Sequence, residues 1–420
     1  MKKILQFFIL LSALLINTYV LAANLSPPGF ASSEHLFIGN NTKIYFSTDD
    51  PGQTAYTFHL QNGLALNYGK IVTMADFYGI PNQPISAAKS DERRKERFLK
   101  IFAMFTINKS AVQEAEQILA VIYNEQKLVD EGMKNGERPE DIYNKLAADN
   151  DRKWNCITGG GCGKYWYFKP GRYFTLTLSD FDHFGDSAWV AYETGHKLAI
   201  EQAIAAHQTQ DKQKLELAYM INAFACHYLS DHFATGHMRN PRIELFTHTF
   251  PHIIGNALTL YMHNEENHYG LHVHNLRGDH WQAYGDKNYF DKINQENRIK
   301  VEEAMQVSAN EIFAAYLSGI VPKDDAVYQI IPYADSIGGD HDHGQDIAPL
   351  FYWDAKLKRL YRRVDVTNVN DHHWTSHWQG WSTLIELAFQ KKLSPEMQAQ
   401  LIAAGYGEQA RNAGLLTDRE

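Results

Sequence analysis

The feature that most constrains this chain is an apolar helical segment that contains two ionisable side chains. Residues 218–229 are apolar apart from Asn222 and His227, and Asp231 follows two positions later. Apolar spacing over 215–233 predicts a helix, on which His227 and Asp231 project from one face. A buried imidazole and carboxylate cost free energy unless a partner compensates them. Because one cation compensates both, we predict metal ligation rather than an exposed ion pair.

His237 extends this pattern to the spacing H-x3-D-x5-H. It follows Gly236, which can end a helix and return the next side chain toward the same site. Histidine nitrogens and carboxylate oxygens are common zinc ligands. The sequence therefore predicts a zinc site built around His227, Asp231 and His237.

The N-terminus has the pattern of a secretory signal. Lys2 and Lys3 precede an apolar run at 4–16, and small residues at 20–23 offer a cleavage site. The apolar run is too short for a membrane anchor. We expect residues 1–23 to be removed and the mature protein to be secreted, to the periplasm or beyond. We further expect a monomer with no transmembrane segment.

Net charge restricts the class of partner. The formal charge is −9, and removal of Lys2 and Lys3 makes it −11. Phosphate polyanions are repelled by such a chain on average, so we expect no nucleic-acid partner. The 20 histidines are consistent with metal ligation.

The cysteines predict one disulfide. Cys156 and Cys162 flank a glycine-rich loop, and export permits disulfide formation. We predict that they pair. Cys226 lies in the apolar helical segment, where a buried free thiol is expected.

The remaining long segments are also predicted to be helical, with short peripheral strands. Composition shifts after Pro322, which predicts an all-α catalytic domain at 24–330 and a small mixed C-terminal extension at 331–420. Asp186 is the expected N-cap of its helix. Helices are predicted at 95–135, 186–207, 215–233, 246–268 and 295–317, and strands at 43–47, 55–59 and 357–366.

The residues around the central spacing resemble a known family. His227 begins the run His-Tyr-Leu-Ser-Asp-His-Phe-Ala-Thr-Gly-His-Met-Arg-Asn-Pro-Arg, which is similar to the zinc-dependent phospholipase C / P1 nuclease superfamily. The similarity is to the branch of secreted bacterial zinc metallophospholipases C, and it covers about residues 60–290. It implies a helical core that holds two or three zinc ions. The supporting segments occur in order at 182–185, 191–196, 262–267, 270–271 and 281–286.

The resemblance assigns roles at the central zinc site. It implies that Asp231 bridges two zinc ions and that His227 and His183 are ligands of one of them. An upstream aspartate is also expected, and Asp76 is the candidate for both ligation and general-base catalysis. Asp182 or Asp180 could serve instead, because Asp76 lies further from His183 than the family spacing implies.

The outer zinc sites follow the family less closely. His237 is expected to share a zinc ion with a histidine and a carboxylate, for which His263 and Glu266 are the first choice. His252 is the competitor, although its i+4 partner is Asn256.

The third zinc ion of the family uses the mature N-terminal residue, a tryptophan in its best-known members, and an early histidine. Here His35 could supply the histidine, but the mature chain would begin without a tryptophan.

The resemblance implies hydrolysis of the glycerol-side phosphodiester of phospholipids such as phosphatidylcholine, through a zinc-activated water. The products would be diacylglycerol and a phosphorylated head group, released at membrane or micelle surfaces. A P1-like nuclease or phosphomonoesterase and a non-catalytic zinc-binding protein are the alternatives.

Aromatic residues at 77–78 and 165–168 could contact a quaternary ammonium or pack in the core. The histidine-rich segments 340–343 and 371–377 are not assigned to the site.

Overall fold

A computed structural model describes residues 32–179, 181–323, 326–335, 345 and 347–392. The expected signal sequence, Asp180 and the segment 340–343 lie outside these residues. The described chain is mostly helical, with small sheets, in agreement with the predicted all-α class. Among these residues, no helix combines the length and hydropathy needed to cross a bilayer.

Thirteen α-helices are found in the described ranges, and most of them belong to the larger of two compact units. They are α1 (Ser32–Asn40), α2 (Tyr68–Met74), α3 (Asp91–Thr106), α4 (Ala111–Lys134), α5 (Pro139–Ile157), α6 (Arg172–Ser179), α7 (Gly185–Thr209), α8 (Lys212–Asp231), α9 (Thr235–Met238), α10 (Arg242–His248), α11 (His252–Tyr269), α12 (Gln295–Ser318) and α13 (Gly380–Lys392).

The strands form three small antiparallel sheets. β1 pairs with β2, β3 lies between β4 and β5, and β7 lies between β6 and β8. Their bounds are β1 (Phe58–His59), β2 (Ala65–Leu66), β3 (Leu271–His274), β4 (His280–Ala283), β5 (Tyr333–Ala334), β6 (Phe351–Asp354), β7 (Arg359–Arg363) and β8 (Trp374–Thr375).

Close packing of α7 against α8 holds the core of the larger unit together. Gly195 on α7 is needed for this approach, because a Cβ there would lie 2.6 Å from the Cβ of Ala225 on α8. The side chain of Phe98, from α3, also lies against Gly195. α8 is consequently buried through most of its length, as its apolar sequence predicts.

Two predicted helices are each divided in the structure. The segment 95–135 forms α3 and α4, which are separated by a turn in which Asn108 Oδ1 accepts from the Ser110 N–H at 3.0 Å. The segment 246–268 is interrupted at Pro251, which has no N–H to donate. The prediction of Asp186 as an N-cap is wrong. Phe184 occupies the N-cap of α7, and Asp186 lies in the first turn of the helix.

The cysteine predictions are confirmed. Cys156 and Cys162 form a disulfide, and Cys226 is a buried free thiol. Asn155 organises the same loop, since its side chain accepts a hydrogen bond from the Gly171 N–H at 2.6 Å and donates one to the Gly161 carbonyl at 3.0 Å.

The chain divides into units at positions other than the boundary expected at residue 330. The larger unit comprises described residues 32–240 and 263–345, and the smaller one comprises 241–262 and 347–392. Within the smaller unit, a Cβ at Gly380 would lie 3.2 Å from Thr249 Cγ2, so α13 packs closely on the segment 241–262. That contact explains why a segment expected in the catalytic domain groups with the C-terminal strands.

Candidate metal centre

Five ionisable side chains converge in the larger unit, and we call them the central cluster. Two lie on α8, and the others come from α1, the turn after α2 and the turn before α7. They form two overlapping groups that could hold metal ions, with His227 in both. The members of the central cluster are His35, Asp76, His183, His227 and Asp231.

Asp231 faces different histidines with its two oxygens. Oδ1 lies 3.3 Å from Nε2 of His35. Oδ2 lies 2.7 Å from Nδ1 of His183 and 3.3 Å from Nε2 of His227. The two oxygens of Asp231 therefore face His35 on one side and His183 and His227 on the other.

Asp76 joins the cluster through one oxygen and is held through the other. Oδ1 lies 3.6 Å from Nε2 of His227, and Oδ2 accepts a hydrogen bond from Ser32 Oγ at 2.8 Å. The second contact fixes the rotation of the carboxylate, so that Oδ1 faces the histidines.

Asp182, the described alternative to Asp76, has a different position. Its Oδ1 accepts from the Ser86 N–H at 2.9 Å, and its Oδ2 accepts from the Ile85 N–H. Both oxygens therefore hold a loop, and Asp182 belongs to none of the metal-binding groups found in the described chain.

A second group, the outer cluster, consists of His237, His263 and Asp286. Nε2 of His263 lies 2.6 Å from Asp286 Oδ2 and 3.1 Å from Nε2 of His237, and Nε2 of His237 lies 3.5 Å from Asp286 Oδ2. Ligands at about 2.0–2.1 Å from a tetrahedral zinc ion are about 3.3 Å apart. The spacing of these atoms therefore suits one ion of that size.

The expected carboxylate of the outer cluster, Glu266, points elsewhere. Its Oε1 lies 2.6 Å from Nε of Arg239, and the pair is nearly inaccessible to solvent. Asp286, after β4, occupies the place beside His237 and His263 instead. Sequence reasoning missed it because the i, i+3 spacing of His263 and Glu266 fitted one helical face.

His252, the alternative to His263, lies in the smaller unit. Its ring stacks on Phe246 with centroids 4.6 Å apart, and its Nδ1 lies 2.7 Å from the Phe246 carbonyl oxygen. His263 is the histidine that the structure places in the outer cluster.

His35 also differs from its expected position. It was expected at a separate third site, but it lies in the central cluster beside Asp231 and His227. Its Nδ1 is 2.8 Å from Ser230 Oγ, which orients the ring so that Nε2 faces Asp231. A lone histidine early in the chain gives no signal for this placement, because the contact depends on how α1 packs against α8.

Asn267 holds the outer cluster in place. Its Nδ2 donates to Asp286 Oδ2 at 2.8 Å, and its Oδ1 accepts from the Gly236 N–H at 2.6 Å. A Cβ at Gly285 would overlap Asn267 Oδ1. Glycine at 285 therefore allows Asn267 to connect the segment carrying His237 with the segment carrying Asp286.

The first turn of α1 contacts the central cluster and the residue that follows Asp286 of the outer cluster. Ser32 binds Asp76, and Ser33 Oγ donates to Glu125 Oε1 at 2.8 Å. Glu34 Oε2 accepts from the Lys287 N–H at 3.0 Å, next to Asp286. With His35 beside Asp231, one helical turn therefore positions residues of the central cluster and the backbone beside Asp286.

The protonation states of His227, His263 and Asp231 suit metal ligation, whereas at His237 burial is outweighed by Asp286, which raises the pKa. Burial lowers the pKa of His227 well below its usual value, and it also lowers that of His263. Burial alone would raise the pKa of Asp231, but His227 and His183 hold it well below the ordinary range. Neutral imidazoles and ionised carboxylates are the forms that bind metals.

One buried atom further tests the fit of a cation. Oδ1 of Asp286 is buried and accepts no hydrogen bond from a donor in the described ranges. An ionised oxygen in such a place costs free energy without a partner. A cation between Asp286, His237 and His263 would supply that partner.

The two aromatic segments considered for substrate contact, 77–78 and 165–168, differ in their exposure to solvent. Phe77 and Tyr78 are buried, and the Phe77 ring stacks on Tyr173 with centroids 5.4 Å apart. They therefore pack in the core. Tyr165 and Phe168 are 61% and 52% exposed, so they remain open to solvent.

The segment 371–377 lies in the smaller unit and belongs to none of the metal-binding groups in the described chain. His373 Nδ1 lies 2.7 Å from Asp371 Oδ1, with the histidine largely exposed.

Comparison with protein-family models, curated proteins and solved structures finds no match. The fold and the site define a mostly helical protein with buried histidine–aspartate groups that could bind metal ions.

Proposed function

We propose that the protein is an exported zinc-dependent phospholipase C. It would hydrolyse the glycerol-side phosphodiester of phospholipids such as phosphatidylcholine. The observation that carries this proposal is the pair of neighbouring metal-binding clusters. Within the central cluster, Asp231 directs Oδ1 to His35 and Oδ2 to His183. The clusters adjoin because His237 Nδ1 lies 2.5 Å from the carbonyl oxygen of His183.

Zinc supplies two elements of this chemistry: it polarises phosphoryl oxygens and lowers the pKa of a coordinated water. Asp76 is the general base. Its Oδ1 faces the central cluster, where it would lie within reach of a water held by the cation. Ser32 holds the other oxygen and keeps Oδ1 toward His227.

Differences in burial give the direction of substrate approach. His35, His227 and Asp231 are fully buried, whereas the side chains of Asp76 and His183 are 12% and 14% exposed. The phosphodiester would therefore reach the cluster from the side of Asp76 and His183, where the general base lies.

The choice of phospholipid over nucleic acid is supported by charge and by the resemblance of the motif residues. The formal charge of −9 repels an extended polyanion, whereas a single phosphodiester can still be attracted by cations at the clusters. The residues at 227–242 resemble secreted phospholipases C of bacteria.

Asp231→Asn tests the central assignment. Loss of an outer-shell partner costs 10–100-fold in metal affinity or activity, so loss of Asp231 should cost more than about 100-fold in phosphatidylcholine hydrolysis. Bound zinc, measured by elemental analysis, should also fall. Asp49→Asn makes the same chemical change at an exposed position and should leave both quantities unchanged. Full activity of Asp231→Asn would refute the proposal.

A substrate panel separates the enzyme classes. Purified protein is assayed on phosphatidylcholine, phosphatidylglycerol and single-stranded DNA, with the zinc content measured in the same samples. Release of diacylglycerol supports the phospholipase. Cleavage of DNA alone would make the protein a nuclease, and bound zinc without hydrolysis of any substrate would make it a zinc-binding protein.

A further inference from the structure

One sheet of the larger unit carries a group of histidines outside both clusters. His274 on β3 and His280 on β4 are directly paired across the two antiparallel strands. His272 lies two residues before His274 and shares its face, because side chains alternate along a strand. The buried residues Val273 and Trp281 occupy the opposite face.

The paired histidines are close enough to chelate an ion. Their ring centroids are 5.8 Å apart with an interplanar angle of 33°. Cross-strand neighbours on one face are the sheet positions whose side chains meet. His280 is exposed and the His274 side chain is 39% exposed, so a cation can reach both from solvent.

Asp335 orients one of the two rings. Its carboxylate, only 3% exposed, has Oδ1 at 2.6 Å from Nδ1 of His274. Its backbone N–H donates to the His272 carbonyl at 3.1 Å, which fixes Asp335 at the end of β5. A histidine that donates Nδ1–H to a carboxylate presents the lone pair of Nε2, and metal-ligating histidines are commonly held in this way.

Space for the other ligands of an ion adjoins His280, the second histidine of the pair. A cavity of about 450 Å³ is lined by His272, His280, Gln282 and Asp335, together with the strand residues between them. This volume accommodates a cation with several waters. The lining is more apolar than polar, and His272, His280 and Gln282 supply the side chains that can hydrogen-bond to those waters.

We propose that His274 and His280 form a further metal site, a cross-strand chelate for a divalent cation of the zinc type. Imidazole ligands favour ions such as Zn²⁺, Ni²⁺ and Cu²⁺ over Mg²⁺ or Ca²⁺. Two protein ligands leave the remaining positions to water, so this ion exchanges more readily than one held by the buried clusters.

The position of the sheet in the chain gives the ion a structural role. The β3–β4 hairpin connects α11, which carries His263 and Asn267, with Asp286. An ion across His274 and His280 clamps this hairpin. The clamp lies at the turn end of the hairpin, beside residues 275–279.

The experiment is a calorimetric titration of the desalted, zinc-containing protein with Zn²⁺. The wild type should bind one equivalent that His280→Ala does not bind. Asp335→Asn should bind the same equivalent about 10–100-fold more weakly, because His274 loses its orienting carboxylate. His59→Ala removes another exposed histidine and should match the wild type.

Two further measurements distinguish zinc bound by His274 and His280 from zinc bound by the buried clusters. Elemental analysis after desalting should give the same zinc content for all variants, since the buried clusters are unchanged. Added Zn²⁺ should raise the melting temperature of the wild type and of His59→Ala, but not that of His280→Ala. Equal uptake by the wild type and His280→Ala, or no additional uptake by the wild type, would overturn the proposal.

Discussion

At the scale of single residues, the outer cluster depends on which carboxylate faces His237 and His263. Asp286→Asn removes a charge that lies 2.6 Å from His263, so bound zinc should fall by about one ion per chain. Glu266→Gln retains an acceptor for Arg239 and should leave the zinc content unchanged. Elemental analysis of both variants decides between them, and the reverse pattern would make Glu266 the ligand.

The role of Asp286 as a candidate ligand is harder to predict from the sequence than the roles of His227 and Asp231. Those two residues share one helical face, and an apolar helix makes their burial costly, so the local pattern carries the prediction. Asp286 reaches its histidines only after the β3–β4 hairpin returns the chain to α11. This contact is tertiary, and local spacing favours Glu266 instead.

Ser32 gives a second prediction at this scale. Ser32→Ala removes the hydrogen bond that holds Asp76 Oδ2, so phospholipid hydrolysis should fall about 10–100-fold. The pH–rate profile should also shift to higher pH, because the hydrogen bond from Ser32 lowers the pKa of Asp76 and its loss raises that pKa. Ser47→Ala, at an exposed position, is the control. An unchanged rate and profile would exclude Ser32 as a positioning residue.

At the scale of elements, the contact between α7 and α8 determines where His183 and His227 meet. Gly195→Ala would place a methyl group 2.6 Å from Ala225 Cβ, which forces the helices apart. We expect a loss of about 1–3 kcal/mol in the free energy of unfolding, measured by denaturant titration. Gly163→Ala is the matched control, since no atom lies within 4 Å of its added Cβ. Equal stability of the two variants would show that the helices can adjust.

Helical periodicity predicted α7, α8 and α12 closely, because each is a continuous helix with buried apolar residues. Helical periodicity predicted one helix at 246–268, because the apolar spacing continues across Pro251. The structure instead has α10 and α11 on either side of that proline. Periodicity also gave no indication of which helices are neighbours. The placement of α1 beside α8, which brings His35 to Asp231, depends on packing between distant parts of the chain.

At the scale of the whole molecule, buried carboxylates outside the clusters make stability depend on pH. Burial raises the pKa of Asp151 to about 8 and that of Glu125 to about 7, far above the ordinary value near 4. At these two carboxyl groups the folded chain binds more protons than the unfolded chain between about pH 4 and pH 8. Their contribution to the free energy of unfolding consequently falls as pH rises through that interval.

Asp151→Asn isolates this effect. The amide oxygen can still accept the hydrogen bond from Tyr173, which is 3.1 Å long in the wild type, but the side chain cannot ionise. Each pKa unit corresponds to about 1.4 kcal/mol, so the variant should gain more than about 1 kcal/mol over the wild type at pH 9 relative to pH 5. Denaturant titrations at both pH values measure the difference. A constant difference between the two proteins would mean that Asp151 ionises in the folded chain near its ordinary pKa, and that water or Lys287 compensates its charge.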